Sequence, residues 1–219
     1  MIVSTVENKE YFWIKIPRTA TYSYKELFKR YNEVIEEKHI HHSYLELCKK
    51  YDKKLPGFTV VRHPLNRFKS ILYYLASRHK DTASDARKLW ESTESCIELL
   101  NSYFQRNCQL KGISIQSIFL DTNTDDSIHS PITAFFKTQV EYAYHPKVNI
   151  FYYERMDEFK NWIETTLKYD TTNTPIINSS CKTHTKVNVD FNNPDFIKTI
   201  ENLYYVDYKA FNYPLQYLT

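Results

Sequence analysis

The chain has 219 residues, 42% of them hydrophobic and 25% charged, which suits one globular domain with a sizeable core. Its formal net charge of +3 is too small to argue for nucleic acid and does not oppose an anionic ligand. With only two glycines, Gly57 and Gly112, it excludes a glycine-rich nucleotide triphosphatase loop, which also needs a Gly-Lys-Ser/Thr ending. Cys48, Cys96, Cys108 and Cys181 are scattered without Cys-x-x-Cys spacing, so neither a zinc site nor a redox motif is expected, and reduced thiols in the cytoplasm fit best. The charged residues after Met1 predict no signal peptide, and no apolar run approaches the ~20 residues of a membrane span.

In chain order, Tyr11 to Ile16 is an aromatic and β-branched run that predicts a buried strand, stopped by Pro17. Arg18, Thr19, Thr21 and Ser23 follow, and Tyr24, Leu27, Phe28 and Tyr31 then fall at helical spacing in a helix predicted over about 22–37. A helix N-terminus has unpaired N–H groups and partial positive charge, so an arginine and hydroxyls beside it make an anion cradle, with phosphate the usual guest. His39, His41 and His42 form a cluster that reads either as a solvated loop or as a source of a base. Ser43 and Glu46 have capping-box spacing, which predicts a helix over 44–51.

Leu55-Pro56-Gly57 is a turn, and Phe58 to Val61 suits a buried parallel strand. Arg62 follows at its carboxyl end, where α/β sheets bind ligands. Pro64 suits the first turn of a helix whose apolar stripe is Leu65, Phe68, Ile71, Leu72 and Leu75, with Ser70 about two turns in. One long packing helix is expected over 81–106 and an irregular, solvated stretch over 110–130, whose acidic run lacks the glycine of a calcium loop. A helix carrying Gln139 is expected over 131–142, a strand over 148–153 running into Glu154, and a helix over 156–167. A loop with Lys182, His184 and Lys186 spans 170–190, and a last helix spans 194–205. No repeat or linker divides the chain, so the expectation is a single α/β domain over 1–219, with a mostly parallel central sheet flanked by helices and a phosphate-binding strand-loop-helix.

Several of these segments carry a family likeness. Pro17-Arg18-Thr19-Ala20-Thr21-Tyr22-Ser23 resembles the 5′-phosphosulfate loop of sulfotransferases, Pro-Lys-Thr-(Ala/Gly)-x-Thr-Ser, with Arg18 in place of Lys and Tyr22 in place of Thr. Arg62, Pro64, Arg67 and Ser70 match the 3′-phosphate motif Arg-(Asp/Asn)-Pro-x-x-Arg-x-x-Ser, from which His63 departs. His41-x-Ser43-x-x-Glu46-Leu47 resembles the histidine segment of carbohydrate-type sulfotransferases, and Tyr152-Tyr153-Glu154 resembles the Arg/Tyr-Tyr-Glu segment. Asn178-Ser179 resembles the Asn-x-Ser that opens a nucleotide-covering loop, and Leu203 to Tyr213 resembles the closing pattern Leu-Tyr-x-x-Asp-x-x-x-Phe-x-Tyr. The resemblance runs from about Trp13 to Tyr213.

The resemblance implies a P-loop-like sulfotransferase fold and transfer of a sulfuryl group from 3′-phosphoadenosine-5′-phosphosulfate (PAPS) to an acceptor hydroxyl on a glycan, lipid or small molecule. It leaves 3′-phosphoadenosine-5′-phosphate (PAP) as product and needs no metal. In that scheme Arg18 and the N–H groups of Thr19, Ala20, Thr21, Tyr22 and Ser23 meet the 5′-phosphate, and the hydroxyls of Thr21 and Ser23 add donors. Arg62 and Ser70 hold the 3′-phosphate, and Lys182 lies in a loop that closes over the nucleotide. His41 matches the position of the base, with His42 and His39 near enough to replace it and Glu154 an outside candidate. Two further readings stay open. One is a non-catalytic binder of a nucleotide or sulfated ligand on the same fold. The other, disfavoured by the missing glycine loop, is a nucleotide-phosphate kinase.

Overall fold

The structure, a computed structural model, describes residues 1–32, 41–78, 87–109, 133–174 and 186–218. Its elements begin with β1 (Ile2–Ser4), β2 (Glu10–Trp13), α1 (Thr21–Tyr31), α2 (Tyr44–Tyr51) and β3 (Gly57–Val61). Next come α3 (Pro64–Arg78), α4 (Lys88–Glu91), α5 (Thr93–Gln109), α6 (Thr133–Phe136) and α7 (Gln139–Ala143). The series ends with β4 (Val148–Tyr152), a 3₁₀ turn (Tyr153–Arg155), α8 (Met156–Trp162) running into a π turn (Ile163–Leu167), α9 (Pro194–Leu203) and α10 (Tyr205–Ala210). Among the described residues the chain is α/β, with a four-stranded, mostly parallel open sheet. The chain forms two compact units, Met1–His63 with Lys137–Ser179 and Pro64–Phe136 with Ser180–Thr219.

The first unit holds the sheet, in the order β1-β2-β3-β4. β1 pairs antiparallel with β2, and β2, β3 and β4 are parallel. The central strand β3 is buried along its whole length, as its short, largely apolar run predicts, and its one polar side chain, Thr59, donates to the Ile14 carbonyl at 2.7 Å. Alternation sends Trp13 and Phe12 to opposite faces. On one face Trp13, Phe28, Phe58, Phe159 and Trp162 pack as an aromatic core between the sheet, α1 and α8. On the other, Phe12 meets Tyr44 and Tyr51 of α2. Helices on both faces and parallel strands between them follow the α/β layer rule.

The strand expected over 11–16 ends at Trp13, although the Ile14 N–H still donates to the Phe58 carbonyl at 3.0 Å. The sequence reading missed β1, because three residues are too few for a periodic signal. The capping box of α2 is present in both directions between Ser43 and Glu46.

The second unit is built on α3. Phe68, Ile71, Leu72 and Leu75 lie in its core with Leu89, Trp90, Phe196, Ile200, Tyr204 and Tyr208. The single helix expected over 81–106 is broken at Ser92, whose extended backbone separates α4 from α5 and whose hydroxyl accepts the Ser95 N–H at 3.1 Å. The closing motif is structural here: Tyr204, Asp207, Tyr208 and Phe211 are all buried. The Leu65 backbone, in the first turn of α3, hydrogen-bonds to the Tyr208 hydroxyl, whose pKa burial raises, with Glu201 and Asp207 adding to the rise. Glu201, fully buried, accepts the N–H groups of Gln216, Tyr217 and Leu218 at 2.5, 3.0 and 3.0 Å. Among the described residues no helix is long and apolar enough to cross a membrane.

Gly57 sits where the sheet meets α2, and a Cβ built there would lie 2.8 Å from Ile14 Cδ1, 3.2 Å from Val148 Cγ2 and 3.3 Å from Tyr44 Cδ2. Gly57→Ala therefore overpacks this layer and costs ~1–3 kcal/mol. In a chain of this size that lowers the melting midpoint by about 2–12 °C, to be read by calorimetry.

Candidate functional site

The parallel strands β2, β3 and β4 end on one edge of the sheet, so the residues after each strand share that edge: Ile14 to Ala20, Arg62 and His63, and Tyr153 and Glu154. Carboxyl ends of parallel strands are where open α/β sheets bind ligands.

The loop after β2 turns over Pro17 to Ala20 without a glycine. Arg18 (φ 68°) and Ala20 (φ 63°) both take the left-handed conformation, which is uncommon for residues with a side chain. Two hydrogen bonds hold the loop in that shape. The hydroxyls of Thr19 and Thr21 both donate to the Ile16 carbonyl, at 2.9 and 2.7 Å. The Thr21 proton, expected to point to a ligand, is thus directed inward, and its backbone N–H at the first position of α1 is what Thr21 can bring to an anion. Ala20, as N-cap, supplies no side-chain acceptor, and the first turn of α1 contains no acid. That N-terminus therefore has neither a side-chain cap from its N-cap residue nor an acid in its first turn to offset the positive end of the helix dipole. Thr19 and Ser23 are buried and Tyr22 is exposed. Beneath the loop, burial and the nearby Asp157 push the Tyr24 phenol up to about 12, too high for proton exchange near neutral pH.

Arg62 follows β3. Its N–H donates to Gln139 Oε1 at 2.8 Å, and its carbonyl accepts from Gln139 Nε2 at 2.9 Å. Its Nη1 donates to the Arg18 carbonyl at 3.3 Å, and its guanidinium lies over the Tyr153 ring at 4.3 Å. The His63 N–H donates to Glu154 Oε1 at 2.9 Å. Glu154, considered as an outside base, thus serves as an acceptor for the main chain after β3. The sequence placed Gln139 in a helix without a role. In the structure the helix expected over 131–142 is split at Lys137 and Thr138, and a second capping box, Thr138 with Glu141, starts α7 at Gln139. The Thr-x-x-Glu spacing was the signal that could have found this start.

His41 stands beside the same segment. Its Nδ1 lies 2.7 Å from the Lys15 carbonyl. A carbonyl only accepts, so Nδ1 carries the proton, and in the neutral ring Nε2 is the basic nitrogen. His42 lies close enough to Glu46 to influence its carboxyl electrostatically. Burial pushes that carboxyl up, but the Ser43 backbone and hydroxyl bonds, Lys137 and His42 outweigh it and the net shift is downward.

The first unit thus brings together Arg18, the Thr19–Ser23 segment and Arg62, with His41, just before α2, against the Lys15 carbonyl that leads into the loop. Ser70 is in α3 of the second unit and is buried, 5% exposed. Lys182 and His39 lie outside the described residues. Among the described residues no group of histidines, cysteines and acids is arranged to hold a metal ion. No family model, curated protein or solved structure matches this chain.

The two motif arginines are unlike. Arg67 is 1% exposed, donates to the Phe135 carbonyl at 3.0 Å and lies 5.8 Å over the Tyr204 ring. It is a brace of the second unit's core. Arg67→Ala, which strips a buried charged donor from its acceptor, should cost roughly 2–4 kcal/mol in urea unfolding. Arg62→Ala should stay within about 1 kcal/mol of the parent. Equal losses in the two variants would refute this division of roles.

Proposed function

We propose that this chain is a PAPS-dependent sulfotransferase with the sulfotransferase type of strand-loop-helix cradle, acting on an acceptor with a free hydroxyl. The observation that carries the reading is the hydrogen bond from Arg62, at the end of β3, to the Arg18 carbonyl in the loop after β2. Two segments 44 residues apart, each resembling one phosphate-binding motif of that family, meet at the ligand-binding edge of a parallel sheet. The uncapped N-terminus of α1 and the left-handed turn at Arg18 and Ala20 fit an anionic ligand.

The donor supplies a sulfuryl group, and the acceptor oxygen bonds to sulfur as the sulfur–oxygen bond to the 5′-phosphate breaks, the electron pair leaving with PAP. The residues' task is positioning and charge stabilisation, as in phosphoryl transfer. Arg18 and the N–H groups at the start of α1 answer the charge growing on the departing phosphate oxygen. Arginine cannot give up a proton, so it acts by electrostatics alone. None is needed, because a phosphate monoester with a second pKa of ~6 leaves as a dianion at neutral pH. Arg62 takes the 3′-phosphate through its planar fork of donors. His41, with its proton fixed on Nδ1 by the Lys15 carbonyl, receives the acceptor's proton on Nε2.

Binding of the bisphosphorylated nucleotide is the first test. PAP at ~100 times its dissociation constant adds about 2.7 kcal/mol, a rise in melting temperature of roughly 5–11 °C for this chain length, and AMP should give far less. Equal shifts from the two nucleotides remove the 3′-phosphate recognition on which the reading depends.

Transfer is the second test. His41→Ala should keep donor binding and lose ~10²–10⁴-fold in turnover in a sulfuryl-transfer assay. Arg18→Ala should lose turnover far more than donor affinity, because the charge it meets develops in the transition state. A parent protein that binds PAP and transfers nothing is the binder described above. One that prefers ATP with magnesium is the kinase-like enzyme.

A further inference from the structure

We infer that Gln139 is a positioning residue for the anion site: its buried carboxamide holds both main-chain groups of Arg62 and so aims the Arg62 guanidinium at a 3′-phosphate. The inference rests on the reading that Arg62 is the 3′-phosphate ligand.

Gln139 is fully buried, and its amide is used in both directions by a single residue, Oε1 accepting the Arg62 N–H at 2.8 Å and Nε2 donating to the Arg62 carbonyl at 2.9 Å. A side-chain amide carries one acceptor oxygen and one donor NH₂, the same pair a neighbouring strand would offer. Gln139 thus extends the β3 ladder by one residue beyond Val61, where β4 stops pairing at Tyr152. The amide comes from 77 residues away and from the first position of a short helix, which the Thr138–Glu141 capping box fixes at that point. The next main-chain donor, the His63 N–H, is taken by Glu154 Oε1 at 2.9 Å. With φ and ψ of Arg62 held on both sides, its side chain leaves the strand in one direction, over Tyr153 and onto the Arg18 carbonyl. A flexible arginine would lose conformational entropy each time it met a phosphate, and one already aimed loses less.

The test is a double-mutant cycle on nucleotide affinity. Gln139→Met keeps the side chain's length and volume and removes both hydrogen bonds, and Gln139→Ala serves if the methionine variant does not fold. In either, the dissociation constant for PAP should rise about tenfold or more while that for AMP changes by less than about threefold. In the Arg62→Ala background the main-chain bonds of residue 62 are still present, yet Gln139→Met should have no further effect on PAP affinity, because the guanidinium it aimed is gone.

Gln139 would be a core residue, and the inference overturned, under any of four outcomes. These are equal weakening of PAP and AMP, no change in either, an additive loss in the Arg62→Ala background, or two Gln139 variants that both fail to fold. A parent that does not prefer PAP to AMP overturns instead the reading of the site, and the role given to Gln139 falls with it.

Discussion

Backbone N–H and C=O groups just past the end of a parallel strand have no ladder partner, and burying them unpaired costs as much as a lost hydrogen bond. The first unit is arranged around that constraint. After β2, the Lys15 carbonyl is met by His41 and the Ile16 carbonyl by Thr19 and Thr21. After β3, the two main-chain groups of Arg62 are met by Gln139, and the His63 N–H by Glu154. The same side chains that satisfy the strand exits therefore shape the edge of the sheet where a ligand would sit.

This explains how the loop from Pro17 to Ala20 does without glycine. A residue with a side chain in the left-handed region costs about 1–2 kcal/mol, and Arg18 and Ala20 are both there. The hydroxyls of Thr19 and Thr21 on one carbonyl, and Arg62 on the Arg18 carbonyl, close the turn from two sides. Each such bond contributes about 0.5–1.5 kcal/mol, enough together to offset the strain. The Thr19 and Thr21 hydroxyl protons are thus spent on the Ile16 carbonyl.

In the second unit, motif residues that look chemical by type serve the core. Arg67 is buried between the Phe135 carbonyl and the Tyr204 ring, and the Tyr208 hydroxyl meets the Leu65 backbone in the first turn of α3. An arginine in a phosphate-binding pattern is thus no sign that it touches phosphate. Arg62 and Arg67 stand five residues apart in sequence, yet the first meets the Arg18 carbonyl and the Tyr153 ring and the second meets the Phe135 carbonyl and the Tyr204 ring.

Local features were legible without the fold. The Ser43-x-x-Glu46 capping box, the buried run of β3, Pro64 at the first turn of α3 and the apolar stripe behind it depend on neighbours a few residues away, and each is where its spacing puts it. The residue types of the candidate site, Arg18, Arg62 and His41, were also named by local pattern. Their surroundings were not. The helix breaks at Ser92 and Thr138 turned on hydroxyl caps that compete only weakly with helix continuation. The inward turn of the Thr21 hydroxyl, the proton on His41 Nδ1, the acceptor role of Glu154 and above all the pairing of Gln139 with Arg62 are decided by groups 5 to 91 residues apart. The sequence determined where the longer strands and helices lie, though not β1 or the breaks at Ser92 and Thr138, and which side chains can carry charge, because those follow from short-range spacing. Only the tertiary structure decided which main-chain groups were left at the strand ends, and so which side chains had to be spent on holding the site rather than on a ligand.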